Sequence, residues 1–177
     1  DISDPSQEPT ILTGQDDSIL SVAFNPESIL ASGSADTTIW LRNIQSPSDE
    51  PVILRGHEDG ISSLAFSPDG QTMASASFDQ TIRLWDIANP EADPTILSGI
   101  NGSILAIAFS ADGQTLASAG TGGIIRFWDM AHTSAEPITV ARLEQPIYSL
   151  AFSPDGQLLA SALDDGTIQM WNIVFPD

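Results

Sequence analysis

Residues 56–87 read GHEDGISSLAFSPDGQTMASASFDQTIRLWDI. The segment ISSLAF alternates apolar with small or polar residues, the period of a half-buried strand. SPDG follows, and its Asp-Gly supplies the positive φ of a tight hairpin turn. MASAS is a second strand of small residues. A polar turn then leads into a third strand, TIRLWDI. No helical period occurs in the stretch, so it predicts antiparallel β structure.

Outward from this stretch the pattern recurs. Phe66 has counterparts at Phe24, Phe109 and Phe152, at spacings of 42, 43 and 43 residues. Each follows an alanine and stands fifteen residues after a proline: Pro9, Pro51, Pro94 or Pro137. The turns are NPE, SPDG, SADG and SPDG, and the first is one residue short. The third strands are TIWLRNI, TIRLWDI, IIRFWDM and TIQMWNI. PTIL, PVIL, PTIL and PITV read as a fourth, outer strand in each copy. The copies run over about 9–50, 51–93, 94–136 and 137–177. Four-stranded units recurring every ~40–45 residues mark propeller blades. The fold predicted is all-β, four blades of four antiparallel strands, with no helix beyond a turn or two.

The span from Gly56-His57 to Trp85-Asp86 strongly resembles a WD repeat, and the resemblance covers the chain as four copies. The style of the repeats resembles that of bacterial WD-repeat proteins. The resemblance implies a buried hydrogen-bonded tetrad, which falls here on His57, Ser75, Asp79 and Trp85. The chemistry is consistent: an indole N–H donates, a hydroxyl and an imidazole do both, and a carboxylate accepts. The other copies carry Gln15, Ser32, Asp36 and Arg42; Ile100, Ser118, Gly122 and Trp128; and Leu143, Ser161, Asp165 and Trp171. In the first copy the Trp sits two residues back, at Trp40. These three copies are expected to hold by apolar packing. A Ser-His-Asp triad is the competing reading, but a Trp competes for the hydroxyl and no cleft is implied.

The resemblance also implies a rigid scaffold that binds proteins or peptides through one face of the ring. Loops before the first strand place Asp17, Asp59 and Glu144 there. Turns between the second and third strands place Ala35, Phe78, Thr121 and Asp164. Phe78 is the first choice as an anchor, being a large apolar side chain where its copies are Ala, Thr and Asp.

Charge narrows the partners. The 177 residues hold 5 Lys+Arg against 24 Asp+Glu, a net charge of −19. Such a chain repels phosphate, which argues against nucleic acid and anionic membranes. With no Cys and two His, thiolate chemistry is excluded and a His-based metal centre is disfavoured. The pairs Asp16–Asp17, Glu58–Asp59 and Asp164–Asp165 lack the ligand spacing of a Ca²⁺ loop. No cofactor, metal or enzymatic activity is expected. The opening DISDPSQEP does not read as a signal peptide, and a cytoplasmic location is expected.

Four blades are few for a ring of shallow inter-blade angles. The chain opens with DI, in phase with the residues after each later Trp position, and ends with NIVFPD after three inner strands. The expectation is that one chain is not a closed four-bladed monomer. Either further blades of a longer array complete the ring, which is preferred, or a second copy pairs with it into an eight-bladed homodimer.

Overall fold

Strand alternation gives each sheet a face on which the third and fifth residues of the second strand are alanine or glycine, here the small face, and an opposite large face, and the sheets stack by matching the two. The computed structural model describes residues 8–173, which form fifteen strands and no helix. The opening DISDPSQ and the final VFPD lie outside the described residues. Sheet 1 orders β1 (Ile19–Phe24), β2 (Ile29–Ser34), β3 (Ile39–Asn43) and β4 (Val52–Leu54) side by side. Sheet 2 does the same with β5 (Ile61–Phe66), β6 (Thr72–Ser77), β7 (Ile82–Asp86) and β8 (Thr95–Leu97). Sheet 3 comprises β9 (Ile104–Phe109), β10 (Thr115–Gly120), β11 (Ile124–Asp129) and β12 (Ile138–Arg142). Sheet 4 has three strands, β13 (Ile147–Phe152), β14 (Leu158–Leu163) and β15 (Ile168–Asn172). Every pairing is antiparallel.

The outer strand of each full sheet comes from the next copy along the sequence. Leu54 pairs with Ile39 and Leu97 with Ile82, so a sheet straddles two sequence repeats. The first such segment corrects the expectation of four outer strands. Residues 9–12 lie in no strand. By the repeat, their partner would be the open edge of β15, which sits at the other end of the stack.

The hairpin turns follow their local chemistry. Gly70, Gly113 and Gly156 adopt φ of 72°, 72° and 71°, a region that costs a side chain but not a glycine. Ser67 Oγ–H donates to Asp69 at 2.6 Å, and Asp69 accepts the Gln71 N–H at 3.0 Å. In the short first turn Ser28 takes the left-handed position at φ 71°. There Asn25 Oδ1 accepts the N–H groups of Glu27 and Ile29 at 2.9 and 2.7 Å.

Three apolar layers hold the four sheets. Between sheets 1 and 2 the small face of Ala31, Ile39 and Leu41 meets the large face of Ile61, Leu64, Met73 and Trp85. Ala74, Ala76, Ile82 and Leu84 then meet Ile104, Ile107, Leu116 and Trp128. Ala117, Ala119, Ile125 and Phe127 meet Ile147, Leu150 and Leu159. Gly33 belongs to the first layer by necessity, because a Cβ there would stand 2.6 Å from Ile61 Cγ2. Burying each such aliphatic contributes about 1.5–3 kcal/mol. Sheets pack in chain order, and sheet 4 does not pack on sheet 1. The four blades therefore form an open arc.

Candidate recognition face and the polar chain beneath it

In sheet 2 the structure brings His57, Ser75, Asp79 and Trp85 into one hydrogen-bonded chain. Asp79 Oδ2 lies 2.7 Å from His57 Nδ1, and His57 Nε2 lies 2.8 Å from Ser75 Oγ. Trp85 Nε1–H donates to the same Ser75 Oγ at 2.8 Å. Burial alone would raise the Asp79 carboxyl. Hydrogen bonds from the Thr81 hydroxyl, the Glu58 N–H, His57 and the Thr81 N–H outweigh it and hold the group at about 2. A carboxylate only accepts, so Nδ1 carries the imidazole proton. Burial lowers the His57 pKa against the opposing pull of Asp79, and the ring is neutral. Its Nε2 then accepts from Ser75, and the donors run in one direction: Trp85 to Ser75 to His57 to Asp79. Ser75 is fully buried and its oxygen already accepts the indole N–H, so it has no path to a substrate as a nucleophile.

The other copies keep parts of this chain. Trp128 Nε1–H donates to Ser118 at 2.8 Å, and Trp171 Nε1–H to Ser161 at 3.1 Å. Sheet 1 departs from the expectation of purely apolar packing. There Ser32 Oγ–H donates to Gln15 Oε1 at 2.6 Å, and the Gln15 amide donates to the Ser32 carbonyl at 3.2 Å. Gln15 thus serves the serine in place of a histidine, because an amide also carries a donor and an acceptor. The displaced Trp40 lies under Arg42, whose Cζ is 4.9 Å from the ring centroid.

Above this polar chain one end of the arc gathers the sequence-predicted partner residues. Asp36 and Asp79 each hold their turn by accepting from a backbone N–H two residues on. The turn is then tied to the loop before the first strand of its own sheet. Ala35 N–H donates to the Ser18 carbonyl at 2.9 Å, and Phe78 N–H to Gly60 at 3.1 Å. Thr121 N–H donates to Ser103 at 3.0 Å, and Asp164 N–H to Pro146 at 3.1 Å. A β-bulge at the loop end of each first-strand pairing, as between Ile61 and Ser63, sets this geometry. Bulges re-aim the chain at such edges.

Neighbouring sheets are also joined at this end. A Cβ on Gly60 would stand 3.2 Å from Ala35 Cα and 3.3 Å from the Phe78 ring. Phe78 is half-buried, one side of its ring against Gly60. Ser103 Oγ–H donates to the Phe78 carbonyl at 3.4 Å. Leu143 N–H donates to the Gly123 carbonyl at 2.7 Å. Asp17, Asp59, Thr121, Glu144 and Asp164 are exposed, and Ala35 is half-buried. Of the five arginines, Arg55 stands in the loop before β5, and Arg42 donates to the Thr13 carbonyl in the loop before β1 at 2.6 Å.

The sequence reading missed Tyr148. Its hydroxyl donates to Asp164 Oδ1 at 2.8 Å, and that bond and the carboxylate charge push its pKa up. Its being the only tyrosine of the chain was the available signal. The larger grooves lie elsewhere. One of about 510 Å³ between sheets 2 and 3 is lined by Asp69, Asp112, Phe109 and Met130 at the other end of the blades. Among the described residues no three His, Asp or Glu side chains converge as a metal site needs, and no helix is long and apolar enough to cross a membrane. His132 is exposed and pairs with Asp129 at 2.9 Å.

A search of curated proteins finds no match to the chain. The profile of the WD domain, G-beta repeat family matches residues 6–43, 49–86, 94–129 and 137–172. Each match closes on the last residue of a third strand: β3, β7, β11 or β15. With four tandem matches over most of its length, the chain belongs to the WD-repeat family.

Proposed function

We propose that the chain is a non-enzymatic scaffold that recognises a basic protein or peptide in the cytoplasm through the loop face around Phe78. WD repeats generally mediate protein–protein interaction. The observation that carries the reading is the seating of Phe78. Its ring rests on Gly60 between two stitched blades, with the exposed carboxylates of Glu58 and Asp59 in the loop that carries Gly60. An aromatic anchor in an acidic surround suits a cationic partner, with charge setting approach and the ring supplying affinity. Asp17, Asp59, Glu144 and Asp164 form the acidic surround; Ala35 and Thr121 are small contacts that leave room beside the ring. The face is an extended surface without a deep cavity, which suits a protein better than a small molecule. Like charge keeps nucleic acid and anionic lipid away, and the reading needs no cofactor or metal.

Peptide display on the purified chain tests this. Selected peptides should be rich in Arg and Lys, and the best should bind at least tenfold more weakly to Phe78→Ala. Ile138→Ala, on exposed β12, should leave binding unchanged. Selection of neutral or acidic peptides, or indifference to Phe78→Ala, defeats the reading.

A further inference from the structure

Every buried junction here is a large face meeting a small one, and the two ends of the arc are the unmet halves of that junction. Ile61, Ile104 and Ile147 are at most 1% exposed, whereas Ile19 at the same repeat position is 48% exposed. Leu64, Ile107 and Leu150 are at most 8% exposed, whereas Val22 is 61%. Phe24 beside it is also exposed. At the other end the small face is bare: Ile39, Ile82 and Ile125 are at most 1% exposed and Ile168 is 72%. Met170 stands open where Leu41, Leu84 and Phe127 are buried. The backbone shows the same split. Residues 9–12 lie in no strand, and among the described residues β15 has one edge without a partner.

We propose that a second copy of this chain covers both ends, closing two open arcs into one eight-bladed ring. Sheet 1 of each copy packs on sheet 4 of the other. Residues 9–12 of each copy become the outer strand of the other's sheet 4. The register follows from β7 and β8, where Ile82 pairs with Leu97 and Arg83 with Ile96. By the repeat, Leu12 then faces Ile168, and Ile11 faces Gln169.

Four observations favour this occupant. One copy supplies at once the large face, the small face and the strand that the other lacks. Strands β1, β14 and β15 contain no charged residue, and Arg42, on the open face of sheet 1 where sheet 2 has Trp85, brings a positive charge to a chain of net −19. A groove of about 330 Å³ lined by Leu12, Ile19, Val22 and Leu30 together with Asp17 and Arg42 lies open on sheet 1. A stable association buries about 1,200–2,000 Å² in total, and a closed pair shares that area over two identical junctions. Head-to-tail contacts form rings when the rotation closes, and eight blades lie within the ~4–8 range of propellers. The pair presents both Phe78 side chains on the same side of the ring.

Sedimentation equilibrium of the 177-residue chain tests the proposal. The expected mass is about 37 kDa, two chains of 18.7 kDa, held or tightened by added salt. Val22→Asp with Phe24→Asp should give a folded monomer, and so should Ile168→Asp with Met170→Asp. Mixing the two variants leaves one intact junction and should restore a one-to-one pair, which misfolded chains would not do. The chain has no cysteine, so Ile11→Cys with Gln169→Cys reports without background. Oxidation should link two chains. A folded monomer up to about 100 μM, a disulfide within one chain, or masses growing beyond the dimer would each overturn the proposal.

Discussion

At the scale of the residue, sheet 2 depends on a chain of four polar side chains with every donor used. His57→Ala removes the partner of both Ser75 and Asp79, and should destabilise the protein by about 1–3 kcal/mol. Trp85→Ala empties the site of a buried aromatic, and should cost about 3–5 kcal/mol. Thermal and urea unfolding check both, and unchanged stability would remove the tetrad from the account. The same residues make stability fall in acid. His57 is held below its ordinary 6.5 by burial, so its contribution is complete above pH 6.5 and declines as pH falls towards its folded value. Asp79, lowered from 3.8 to about 2, contributes fully above pH 3.8 and loses its share between there and about 2. The melting temperature should therefore begin to drop below pH 6.5, and the drop between 6.5 and 5 should shrink in His57→Gln. The resemblance of residues 56–87 to a WD repeat made this site legible. The service of Ser32 by Gln15 was not, because only the folded turn brings an amide seventeen residues away into range.

At the scale of the element, the fourth sheet is one residue short of a full tetrad. Ser161, Asp165 and Trp171 are present, and Leu143 stands where sheet 2 has His57. Leu143→His should change stability by no more than about 1 kcal/mol, because two new hydrogen bonds offset the smaller apolar area that an imidazole buries. The sharper measurement is a double-mutant cycle. Asp165→Ala should cost more stability in the Leu143→His background than in the native chain. Additivity would mean that the new imidazole does not reach Asp165. The strands themselves were legible from period-two alternation and the Asp-Gly turns, since both act within a few residues. The failure of residues 9–12 to form a strand was not. An outer strand exists only where a third strand offers its edge, and that edge belongs to a sheet distant in sequence.

For the whole molecule, 24 acidic against 5 basic residues leave a field that repels polyanions. Fluorescence anisotropy with duplex DNA at about 0.15 M salt should show no complex, and a micromolar, salt-sensitive one would contradict the charge argument. Added sodium chloride should raise the melting temperature, because screening relieves self-repulsion while burial of the three apolar layers is unaffected. The candidate face is also a property of the whole. Phe78, Gly60 and Ala35 come from two sheets, and only stacking makes them one surface.

By itself the sequence determined the three inner strands of each copy, their turns, the repeat and the residues of the tetrad. Each is set by side-chain period, by local backbone chemistry or by a pattern repeated in register. The tertiary structure alone decided which face of each sheet meets its neighbour and which serine finds which partner. Those outcomes depend on packing between segments some forty residues apart, where shape and accessible edges choose the contact and local sequence does not.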